Sequence, residues 1–156
     1  MCIRDREEVL LKNITNEEKL NCFSSFFSKI EAEEKELIIT DPYLFKESKN
    51  KKEDDEYCNI LAKIIMKAKA KSIRVITNYR NYNNDIHKKI ENKLTQDIKI
   101  IWNDDFHDRF WIADRKKGFY TGTSINGLGK RITLINLLSK DEVKIIIDEL
   151  NKKECL

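Results

Sequence analysis

Residues that loosen a chain are scarce here. One proline and four glycines are spread over 156 residues, which excludes long flexible linkers. No apolar run reaches the length of a membrane span or of a signal-peptide core, so the chain reads as cytoplasmic, with no membrane partner. The four cysteines, Cys2, Cys22, Cys58 and Cys155, show no CxxC spacing, and neither His87 nor His107 lies near them. That pattern excludes a zinc site and a disulfide framework, and the cysteines read as reduced thiols. No metal and no cofactor are expected. An excess of one charge is missing too. The 30 basic and 27 acidic side chains leave a net charge of +3, too balanced to argue nucleic-acid binding by itself. A basic patch would have to come from local clustering.

What is present is a globular composition, 40% hydrophobic and 37% charged, in a chain long enough for one domain with its own core. The opening hexapeptide, Met1 to Arg6, reads as translated sequencing-adapter sequence rather than native chain, and is set aside from fold reasoning. The expected domain therefore spans residues 7–156, with the native chain open to extending upstream as a longer protein.

Apolar spacing then predicts an alternating α/β order. Leu20, Phe23, Phe26, Phe27 and Ile30 make one helical stripe between Asn16 and Glu34, with Thr15 and Glu18 matching a capping box. Glu36 to Thr40 reads as a buried strand stopped by Asp41-Pro42-Tyr43, and Lys46 to Glu56 as a charge-dense loop. Helices are predicted over Tyr57 to Ala70 and Asp85 to Thr95, and strands over Lys71 to Thr77 and Ile98 to Trp102. Arg109 to Ala113 and Phe119 to Thr123 form a hairpin, with Gly118 supplying the turn. A strand over Ile132 to Leu138 and a helix over Asp141 to Asn151 close the chain. This rhythm predicts a mixed, largely parallel sheet in an α/β/α sandwich.

The chemistry-bearing stretch runs Phe106-His107-Asp108-Arg109-Phe110 to Asp114, followed by Gly122-Thr123-Ser124-Ile125-Asn126. On a strand that begins by Phe106, His107 and Arg109 share a face. An imidazole beside a guanidinium makes sense where both address one phosphate: the first as nucleophile, the second as clamp for the charge that develops. Ser124 and Asn126, past the return strand, are positioned to donate to phosphate oxygens, and Lys130 with Arg131 adds positive charge. Asp114 has the opposite parity and sits at the turn, the place of a structural partner. Trp102 and Trp111 read as core or rim residues, with base stacking as the other role open to them.

This set resembles the HxK(x)4D…GSxN signature of the phospholipase D superfamily, with Arg109 in the lysine position. It is similar in particular to a single-motif bacterial subgroup with HDRF, a G-x-S segment and a Gly-Lys-Arg, here His107 to Phe110, Gly122 to Ser124 and Gly129 to Arg131. Pro42-Tyr43 matches a pair that often ends the family's first strand. The resemblance implies a phospholipase D-like fold and a catalytic set of His107, Arg109 and Asp114, with Ser124, Asn126 and Lys130 on phosphate. It also implies a phosphohistidine intermediate formed without metal. A second histidine would serve as general acid, so one motif needs a homodimer or an upstream domain to complete the site. The expected activity is a phosphodiesterase acting on nucleic acid. Three departures open an alternative, a catalytically degenerate module of the same fold that binds nucleic acid or a partner protein. Arginine replaces lysine, Thr123 stands in the glycine position, and the strand from Lys130 to Ile135 lacks an acid to orient the histidine.

Overall fold

The computed structural model describes residues 6–156. Of the opening hexapeptide set aside above, residues 1–5, with Cys2, lie outside the described residues. Seven strands form one sheet in the order β1-β7-β6-β5-β2-β3-β4. They are β1 (Glu7–Leu10), β2 (Glu36–Thr40), β3 (Ser72–Thr77), β4 (Ile98–Trp102), β5 (Arg109–Ala113), β6 (Lys117–Thr121) and β7 (Thr133–Leu137). The helices are α1 (Asn16–Lys29), α2 (Lys51–Lys67), α3 (Asn84–Glu91) and α4 (Lys140–Lys152).

The sheet is mixed, and its parallel part is narrower than the helix–strand rhythm suggests. β2, β3 and β4 pair in parallel, whereas β2–β5, β5–β6, β6–β7 and β7–β1 are antiparallel. The crossover helices α2 and α3 join β2 to β3 and β3 to β4. No helix of this kind follows β4 among the described residues: β5 runs back beside β2, and a tight hairpin joins it to β6.

Strand alternation builds the layers. On β2, Leu37 and Ile39 join the larger core with α1, α2 and α3, while Ile38 faces the smaller core under α4. On β5, Trp111 and Ala113 take the first side and Ile112 the second. The larger core centres on an aromatic nest. Trp111 stacks on Phe119 with ring planes 5° apart, and Phe23 and Phe27 of α1 meet Trp111 edge-on. Trp111 is thus a core residue. Cys22, Cys58 and Cys155 are unpaired and buried. Among the described residues, no helix is long and apolar enough to cross a membrane.

Three local expectations shift. The charge-dense stretch after Lys46 is largely helical, because Asn50 accepts the Glu53 N–H as an N-cap and Glu53 and Asp54 occupy the first turn. Its charges are the solvated face of α2. The hairpin turn is made by Asp114 (φ 54°) and Arg115 (φ 57°), closed by the Lys116 N–H on the Ala113 carbonyl. Gly118 lies inside β6 instead, where an added Cβ would sit 2.8 Å from the Trp111 carbonyl oxygen. Its missing side chain permits strand packing rather than a turn. Finally, β1 pairs with β7 and buries Leu10, a strand that four residues beside an excluded hexapeptide did not announce.

Candidate functional site

The parallel strands β2 and β3 and the start of antiparallel β5 bring their chemistry to one end of the sheet. Thr40 pairs with Phe110 in the β2–β5 register, so the next pair outward is Asp41 with Arg109. Both have the parity of the larger core's side. Thr40 fixes this junction: its hydroxyl accepts the Phe110 N–H and donates to the Asp108 carbonyl, each at 3.0 Å. The segment that carries His107, Asp108 and Arg109 is thereby tied to the end of β2.

Asp41 is the residue that sequence reasoning passed over. The sequence marks it only as part of a strand stop, yet it is 1% exposed. One carboxylate oxygen accepts the Tyr43 N–H at 2.8 Å, and the other accepts the Ser124 hydroxyl at 2.8 Å. Arg109 Nε stands 4.0 Å from Asp41 Oδ1, close enough for attraction but too long for a hydrogen bond. Burial pushes the Asp41 carboxyl up to about 6, against the opposing pull of Tyr43, Ser124 and Arg109. The signal that could have found it was the aspartate closing a strand buried from Leu37 onward, held by a proline-set turn.

Arg109 is part-buried, and its guanidinium carbon lies 5.6 Å from the centre of the Tyr43 ring. Lys46 Nζ lies 5.5 Å from the same ring. Two cations thus share one tyrosine face or edge region beside the site. Arg109 Nε is buried on the Asp41 side with no hydrogen-bond partner among the described residues, so its tie to Asp41 is electrostatic alone.

His107 lies in the loop ahead of β5 rather than on the strand, because β5 begins at Arg109. Its side chain is exposed and makes no hydrogen bond or ion pair among the described residues. Its neighbours in that loop are engaged elsewhere: Asp104 pairs with Arg80 at 3.4 Å and Asp105 with Lys153 at 2.8 Å. Ser124 is buried and spends its hydroxyl on Asp41. Asn126 falls in the helical turn Ile125–Gly127, and its side chain lies outside what the structure describes. Lys130 is exposed and lines a cavity of about 290 Å³ with Lys19 and Lys46, next to Ile125. Burial and the charge of Lys130 both hold the Lys19 ammonium below its ordinary pKa.

Asp114 is not brought to this cluster. It follows the far end of β5, about 16 Å from Arg109 at 3.3 Å per residue. There its N–H donates to the Glu36 carbonyl and its carboxylate faces Lys116 at 3.7 Å. Its place is the hairpin turn.

The architecture is that of the phospholipase D fold. NucT from Helicobacter pylori superposes with a TM-score of 0.59 at 12% identity, over 94% of each chain. A phospholipase D family member, Nuc from Salmonella typhimurium, gives 0.55 at 9% identity, over 94% of this chain and 93% of that one. A polyphosphate kinase from Porphyromonas gingivalis gives 0.51 at 13% identity, over 94% of this chain but 22% of that one. No profile of a known protein family matches the chain, nor does any curated protein sequence. At these identities it is the fold that is shared, a phospholipase D-like α/β/α sandwich.

Proposed function

We propose that this chain is a phosphodiesterase of the phospholipase D type that acts on nucleic acid, with His107 as nucleophile and Arg109 as phosphate clamp. The observation that carries the reading is the Arg109 guanidinium, held at the sheet end two residues past the exposed His107, with the Tyr43 ring at its flank. In the reaction an imidazole nitrogen of His107 bonds to phosphorus while the bond from phosphorus to the leaving oxygen breaks. Arg109 stabilises the equatorial oxygens as they gain charge. The leaving oxygen needs a proton, and one motif supplies no second histidine for it. A second copy bringing its own His107, or an upstream half, meets that need. Water then attacks the phosphohistidine and restores the imidazole. No step calls for a metal.

A second reading is favoured by one specific observation. Among the described residues His107 has no partner that would fix its tautomer, and Ser124 is occupied by Asp41. A module that binds a phosphodiester at Arg109 without cleaving it fits that arrangement. The deciding experiment is cleavage of single- and double-stranded DNA, RNA and a chromogenic phosphodiester in EDTA, by wild type and His107→Ala. Turnover that survives the chelator and disappears in the variant supports the enzyme. A folded wild type that binds these substrates without turnover, and a variant that binds equally well, leaves the binding module.

A further inference from the structure

Beyond the phosphate site, the same end of the sheet carries an aromatic ledge. Tyr79 is 70% exposed and Trp102 is 45% exposed. They meet edge-on with ring centres 5.1 Å apart, and Tyr82 meets Trp102 edge-on at 4.8 Å. Tyr79 and Tyr82 lie nearly parallel, 21° apart in plane. The ledge is held from below. The Tyr82 hydroxyl is 2.6 Å from His87 Nδ1, and Phe45 packs edge-on against the Tyr82 ring. Arg80, with an 80% exposed side chain, stands beside it.

Aromatic rings fixed in this way lose little entropy when they contact a flat ligand. Two large rings left in water at a sheet end are a cost unless something covers them. The ledge is also wired to the phosphate site. The Thr77 hydroxyl donates to the Asp41 carbonyl at 2.8 Å, and the Asn103 N–H donates to the Thr77 carbonyl at 3.0 Å. Tyr79 follows Thr77 by two residues, and Trp102 immediately precedes Asn103. In the order β5-β2-β3-β4, Trp102 lies three strand spacings from Arg109, about 14 Å. A nucleic-acid strand covers that distance in about four nucleotides at helical rise, and in fewer when extended.

We propose that Tyr79, Tyr82 and Trp102 form a stacking platform for an unpaired base of a nucleic-acid strand whose phosphate sits at Arg109. The inference rests on the phosphodiester reading and adds a substrate class to it, single-stranded nucleic acid over duplex. A duplex keeps its bases stacked on one another and offers the ledge only its backbone. An unpaired base offers a π-face of any sequence. Arg80 adds a cation that stacks on bases and attracts the backbone.

Trp102 supplies its own probe. The other tryptophan, Trp111, is fully buried, so a ligand on the ledge changes the emission of Trp102 alone. The experiment titrates wild type, Tyr79→Ala, Trp102→Phe and Arg109→Ala with oligothymidylate, an abasic strand of equal length, and a duplex. Quenching is read together with an independent measure of binding. The expected result is quenching by oligothymidylate that is absent in Trp102→Phe. Tyr79→Ala should bind oligothymidylate at least about five-fold more weakly, with abasic-strand affinity unchanged. Equal affinity of Tyr79→Ala and wild type for oligothymidylate, with binding still lost in Arg109→Ala, overturns the platform and leaves the phosphate reading standing. Loss of nothing in Arg109→Ala, even with the abasic strand, overturns the phosphate reading itself. In a parallel titration with anionic vesicles, a shift of Trp102 emission that oligothymidylate does not produce also overturns the platform, in favour of a membrane surface.

Discussion

Asp41→Asn tests the electrostatics of the site directly. Burial raises the carboxyl from its ordinary value of about 3.8 to about 6 in the folded protein. A group whose folded pKa is raised binds its proton more tightly in the folded state. Its ionisation therefore costs stability, and the cost develops as pH rises from about 3.8 to about 6. At about 1.4 kcal/mol per tenfold change in proton affinity, that gap is worth about 3 kcal/mol. Below about pH 3 both states hold the proton and the cost vanishes. Asparagine is close in shape and keeps an acceptor for Tyr43 or Ser124, but it does not titrate. The difference in unfolding free energy between the Asn variant and wild type should therefore move in favour of the variant by about 3 kcal/mol between pH 3 and pH 7.

Urea unfolding of both proteins across that range measures the difference, and every other titrating group cancels between them. A difference that stays flat with pH refutes the claim that burial dominates. A difference that moves the other way means that Arg109, Tyr43 and Ser124 hold the folded carboxyl below 3.8. The net charge at the site would then be set by the ion pair rather than by desolvation.

The remaining expectations concern the clamp and the scaffold. Arg109→Lys should weaken binding of a phosphodiester about ten-fold, since an ammonium loses the second donor of a fork, and titration calorimetry reads the change. Trp111→Ala should cost about 3–5 kcal/mol of stability in denaturant unfolding, because it empties the centre of the aromatic nest with Phe23, Phe27 and Phe119. Asn50→Ala should cost about 1 kcal/mol by removing the cap on Glu53 N–H; the same unfolding assay shows it, and a change near zero would return the start of α2 to the loop that the charges suggested.

Much of this fold is legible because its apolar patterns are strong. β2 is found at its own boundaries, since five residues with four buried side chains end at a proline-set turn. The α1 stripe and its capping box are readable for the same reason: period and cap agree. Legibility fails where one feature serves two purposes. The lysines and acids from Lys51 to Glu56 look like a loop because charge hides the helical period, which only Asn50 and the acidic first turn reveal. Gly118 looks like a turn residue because glycine most often is one, yet here it lets Trp111 and Ile112 approach. The parallel and antiparallel halves of the sheet are not separable by strand composition, since both bury apolar residues on two faces over their central stretch.

The site shows a different limit. His107, Arg109 and Ser124 stand out by spacing, but the group that relates Arg109 to Ser124 lies far away in the chain, at Asp41. Only the β2–β5 register brings it there. Its presence also gives a physical reason for arginine at position 109. A lysine ammonium beside Asp41 would be drawn to that carboxylate as a point charge and would have one direction to choose. A guanidinium has donors on several edges, so Nε can face Asp41 while the terminal nitrogens stay free for a phosphate. On the proposed reading the carboxylate orients Arg109 toward a phosphate and tempers its charge at once, and Ser124, donating to the same carboxylate, serves Arg109 rather than the ligand.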